Sequence, residues 1–179
     1  MSVDVFVADE QSDRPVDAHR LAEFARVVLL AEGIKREAEL SVIFVDETTI
    51  AAHNKQFLAH DGPTDVLSFP IEDEPVLSGR MPDNGGTGPG SSTREEEMPL
   101  LLGDIIICPE VAFRNAPGHT GSYDEELALL LVHGILHLLG MDHEIVAEAE
   151  KMEAREQELL NQYFRNAPST GRDQATDNE

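Results

Sequence analysis

The stretch that most constrains this chain runs from Leu127 to Leu139. Leu127, Leu129, Leu130, Leu131, Val132, Ile135, Leu136, Leu138 and Leu139 surround nearly the whole circumference of a helix. A surface helix keeps one polar side. A helix apolar all round must be buried at the centre of its domain, so the other elements have to cover it. Its start is marked by Ser122 with Glu125 three residues on, a capping-box signature.

Two histidines interrupt the apolar run. His133 and His137 stand four residues apart, so they project about 40° apart and one turn up, close enough to share a metal ion. On a continued helix, His143 would lie roughly 9 Å beyond His137 and on another face. Gly140 removes that obstacle, because glycine can take the left-handed conformation that ends a helix and turns the chain back. The pattern His-x3-His-x2-Gly-x2-His thus describes a three-nitrogen zinc site with its fourth position open, the arrangement of a catalytic metal. The competing reading, core histidines bonded to backbone carbonyls, has to place three of them on one buried, leucine-rich segment. A zinc protease with this spacing carries glutamate after the first histidine as general base; this chain has Gly134, which can neither accept a proton nor orient water. Zinc could still activate water or polarise a phosphoryl oxygen, so phosphodiester chemistry stays open.

Around this helix the pattern predicts further elements. Val3, Val5 and Val7 alternate as in a strand. From the N-cap Asp17, the residues Leu21, Phe24, Ala25, Val28 and Leu29 recur at helical spacing until Gly33. Residues 39–46, ELSVIFVD, read as a second strand, with Asp46 capping a helix over about 47–58. DVLSFP and LLGDIIIC supply two more strands, Pro109 to about Asn115 a short helix, and about 144–165 a charged amphipathic one. Residues 72–98 contain DNGGTGPGSSTREEE and read as a disordered insertion; residues 167–179 read as a disordered acidic tail. One domain over residues 1–166 is expected.

With 41% hydrophobic residues among 179, the chain can bury an ordinary core. No apolar run approaches the roughly 18 to 20 residues that span a bilayer, and the N-terminus lacks the marks of a signal peptide, so a cytoplasmic location is expected. Cys108 is the single cysteine and cannot form an internal disulfide. The net charge of −22 is unusual for a protein meant to touch RNA. Lysine occurs only at Lys35, Lys55 and Lys151, so any nucleic-acid site must be local.

HGILHLLGMDH, residues 133–143, resembles the signature of the YbeY family, bacterial metal-dependent endoribonucleases of ribosomal RNA maturation and small-subunit quality control. HNKQFLAHDGPTDVLSFPIE, residues 53–72, and LLGDIIIC, residues 101–108, resemble its other blocks, so the resemblance covers about residues 3–165. It implies an α+β fold, a small mixed sheet covered by helices and reminiscent of zincins, with one zinc ion on His133, His137 and His143. It implies rRNA, the small ribosomal subunit and its assembly factors as partners, with no role for membrane or DNA.

The family usually carries an arginine where this chain has Leu58, and leucine cannot stabilise the extra charge of a phosphoryl transition state. Lys55, His60 and Arg114 are the candidate replacements, Arg114 favoured. Asp104 could bind a ligand or orient water, and Asp142 could orient an imidazole, although either could equally cap a turn. Asn54, Thr64 and Ser68 match family positions beside the cleft and are candidate RNA contacts. Three functions follow in order: a single-strand-specific endoribonuclease acting in 16S rRNA 3′-end maturation and ribosome quality control; a ribosome-assembly RNA-binding factor with a mainly structural zinc; and, distantly, a zinc protease.

Overall fold

The structure, a computed structural model, describes residues 2–71, 99–142 and 144–166. The predicted insertion at 72–98 and the predicted tail at 167–179 lie outside the described residues, as does His143. Four strands form one mixed sheet: β1 (Val3–Asp9), β2 (Ala38–Phe44), β3 (Val66–Pro70) and β4 (Leu100–Ile107). Their spatial order is β1-β2-β4-β3. β1, β2 and β4 run parallel, while β3 pairs antiparallel to β4 and forms an edge. With its helices this is the expected α+β architecture.

Five helices follow the expected positions: α1 (Ala18–Ala31), α2 (Glu47–Leu58), α3 (Pro109–Asn115), α4 (Tyr123–Leu138) and α5 (Val146–Leu159). α5 does not run on to residue 165 as a regular helix; the chain continues as a wider π-helical segment, Leu160–Arg165. The caps work as the sequence implies. Asp17, Asp46 and Ser122 accept hydrogen bonds from the backbone N–H of Arg20, Thr49 and Glu125 respectively.

α4 lies on the face of the sheet that carries Val42, Ile105 and Ile107, and α1, α3 and α5 pack around it. Leu131, Val132, Ile135 and Leu136 are fully buried, each aliphatic side chain contributing about 1.5–3 kcal/mol. The central position expected for this helix is the one observed. β2 alternates buried Ala38, Leu40, Val42 and Phe44 with half-buried Glu39, Ser41 and Ile43, which point to the opposite face. There Ile50 of α2 joins a smaller cluster with Val45, Leu67, Ile106 and Cys108. No helix among the described residues is long and apolar enough to cross a membrane.

Candidate metal centre and groove

His133 and His137 are half-buried where their neighbours on α4 are buried, so the pair emerges at one edge of the core. The Nε2 atoms of the two rings lie 3.0 Å apart, and the rings meet edge to face at 82°. Two nitrogens bound to one zinc at about 2.0–2.1 Å lie within about 4 Å of each other, so this convergence fits a shared metal. On the far side of His133, Nδ1 lies 2.6 Å from the Glu156 carboxylate, which is 6% exposed. An ionised carboxylate only accepts, so this contact puts the proton on Nδ1 and leaves the Nε2 lone pair facing His137. Among the described residues no group of three metal-ligating side chains comes together. Two of the three expected ligands converge, and the third, His143, falls outside the described residues.

The turn after α4 forms as its sequence requires. Gly140 has φ 96°; its N–H donates to the His137 carbonyl and the N–H of Met141 to the Leu136 carbonyl, each at 3.0 Å. These two bonds make a Schellman motif, which needs a left-handed residue at this position. Met141 then packs on the core.

Gly134 answers the question its sequence raises. A Cβ there would lie 2.9 Å from Cγ2 of the fully buried Ile105, so this position packs closely on the sheet. α4 needs glycine to settle on β4, and the same glycine lines the recess beside the histidine pair without a side chain to act there.

A recess of about 290 Å³ opens beside the pair, bounded by His133, His137, Leu58, Asp65, Ser68 and Phe69. Ser68, proposed as an RNA contact, therefore stands next to the histidines. Leu58, where the arginine was expected, does too, and is 49% exposed. On the other side of His133 a larger cavity of about 470 Å³ shares the wall of Asp65, Val66 and His133.

The remaining sequence candidates are placed elsewhere. Asp104 pairs in register with Ser41 and Phe69, while its neighbour Ile105 meets α4. Successive strand residues point to opposite faces, so Asp104 is on the side away from the histidine pair. Arg114 forms an ion pair with Glu47, the first residue of α2. Leu58 closes that helix eleven residues later, about 16 Å along the axis, so Arg114 does not take the place of the missing arginine. Asn54 is buried, and its Nδ2 donates to the Gly62 carbonyl at 3.0 Å, closing the loop after α2 rather than facing solvent. Thr64 donates to Asp65 at 3.4 Å. Asp142 lines a separate recess with Glu148 and Lys151.

Sequence reasoning missed Glu156, His119 and Glu126. Glu156 occupies the apolar stripe of α5, one turn after Met152 and one before Leu159 and Leu160, and a charge in such a stripe is a readable signal. His119 and Glu126 carried no such mark: one lies in a turn-rich GHTGS stretch and the other in the acidic first turn of α4.

A small mixed sheet over a central helix, with an imidazole pair at its edge backed by a carboxylate, defines a histidine-centred α+β domain. The profile of the family described as Endoribonuclease YbeY matches residues 6–164. Endoribonuclease YbeY of Thermobifida fusca is 41% identical over 160 residues, covering 89% of this chain and 92% of its own. Endoribonuclease YbeY of Moorella thermoacetica is 40% identical, covering 86% and 93%. Among solved structures, a Thermotoga maritima protein determined in solution aligns with TM-score 0.53 and 26% identity, covering 98% of this chain and 99% of that one. This chain belongs to the YbeY family.

Proposed function

We propose that this protein is a zinc-dependent endoribonuclease that cuts single-stranded RNA in 16S rRNA 3′-end maturation and ribosome quality control. The observation that carries this reading is the convergence of the His133 and His137 Nε2 atoms at 3.0 Å, with Glu156 holding the outer ring, beside a groove edged by β3. His133 and His137, with His143 by the spacing of the motif, would hold one zinc ion per chain. Bound there, the metal supplies a Lewis acid for a phosphoryl oxygen and lowers the pKa of water. Glu156 orients His133, Ser68 offers a hydroxyl to the strand, and the recess admits a flexible backbone more readily than a rigid duplex. In this reading the protein works in the cytoplasm with rRNA, the small subunit and its assembly factors.

A second reading, an assembly factor that places RNA and uses zinc mainly for structure, is favoured by Leu58, which puts an apolar side chain beside the pair where a cation would serve cleavage. Peptide hydrolysis has no support, since Gly134 has no side chain to act as the general base. The test is cleavage of a single-stranded segment from the 3′ end of small-subunit rRNA by zinc-quantified protein, with His137→Ala and Leu58→Arg alongside. New RNA ends from wild type, absent with His137→Ala and more abundant with Leu58→Arg, are expected. Zinc bound one per chain with no cleavage by any form would replace the enzyme with the assembly factor.

A further inference from the structure

The cavity of about 470 Å³ beyond His133 falls in the size range of small-ligand sites and is walled on one side by His119, which follows α3 and the turn Ala116–Gly118. Nδ1 of His119 lies 2.9 and 3.1 Å from the two carboxylate oxygens of Glu126. Glu126 is 1% exposed and also accepts the Thr120 hydroxyl at 2.8 Å. A buried carboxylate with no cationic side chain in these contacts is costly to keep unless such bonds satisfy it. It needs the Nδ1 proton, so the imidazole is held by that nitrogen, on a side chain that is 60% exposed. The other carboxylates at this cavity are Asp65 ahead of β3, and Glu153 and Glu156 from α5. Glu156 is already engaged by His133. The arrangement is that of a general base fixed by a third group, and it lines the same cavity as His133, the outer member of the histidine pair.

We propose that His119, oriented by Glu126, is a further catalytic residue: the base that position 134 cannot supply. Its Nε2 takes a proton from the attacking water as the water oxygen bonds to phosphorus. The bond from phosphorus to the leaving ribose oxygen breaks, that oxygen is protonated from solvent, and His119 returns its proton to solvent. This step rests on the nuclease reading above.

The experiment measures single-stranded RNA cleavage by the full, zinc-quantified chain as wild type, His119→Ala and Glu126→Gln, without and with added imidazole. His119 is mostly exposed, so its alanine variant should fold, with a melting midpoint lowered by the loss of its bond to the buried Glu126. The expected result is a kcat lowered by about 10²-fold or more in His119→Ala, with KM and zinc content unchanged and part of the rate restored by imidazole. Glu126→Gln should fall between that variant and wild type. His119→Ala cutting at the wild-type rate, or losing activity together with zinc and without imidazole rescue, would overturn the proposal and leave the nuclease reading standing. A wild type that cuts nothing would overturn both.

Discussion

Two residues on α4 show how one position serves the fold and its neighbour the site. Gly134 sits against Ile105, and an added methyl would have to push into fully buried side chain. Gly134→Ala should therefore cost about 1–3 kcal/mol through overpacking, read from denaturant midpoints, and should slightly shift the helix that carries the pair. A neutral substitution would mean that α4 has slack over the sheet. Glu156 acts on His133 through one bond of 2.6 Å. If the pair holds zinc as proposed, Glu156→Ala should weaken zinc affinity about 10–100-fold in chelator competition, and Glu156→Gln less, because its amide oxygen still accepts from Nδ1. Equal affinity for all three proteins would reduce Glu156 to a packing residue. The histidines were legible because their spacing is local. Glu156 was legible only as a charge in the apolar stripe of α5; only the packing of that helix on α4 shows that it meets the ring.

At the level of elements, α2 carries a pH-dependent cap. A hydrogen bond from the Thr49 side chain, with a second from the Thr49 N–H at 2.8 Å, holds the Asp46 carboxyl below the ordinary 3.8. A group whose folded value is depressed stabilises the fold above its unfolded value and loses that contribution as pH falls through the folded one. Asp46→Ala should thus lower the melting midpoint at neutral pH, and the gap to wild type should narrow below about pH 4. A gap that stays constant down to pH 2 would assign the effect to something other than the charged cap. Helix boundaries followed from such caps and from glycines, which act within one turn. The face of Asp104 did not, since β4 reads as a nearly continuous apolar run. A strand covered on both sides loses the alternation that would tell which way each residue points.

For the whole molecule, a net charge of −22 sets how RNA can be met. Each phosphate neutralised on a single strand contributes a slope of about −0.7 to log affinity against log salt, so a protein whose Arg114 is tied to Glu47 should show a slope shallower than about −1.5. Binding titrations between 50 and 200 mM salt check this, and a steep slope would reveal a cationic track elsewhere on the surface. The sequence by itself determined the central helix, the order of strands and helices, the histidine pair and the turn after it, because each depends on neighbours within a few positions. Tertiary structure alone decided that Glu156 meets His133, that Leu58 stands beside the pair, that Asp104 and Arg114 do not, and that His119 shares a cavity with the site. Those juxtapositions join residues far apart in the chain, and only the packing of α2, β3 and α5 around α4 brings them within reach.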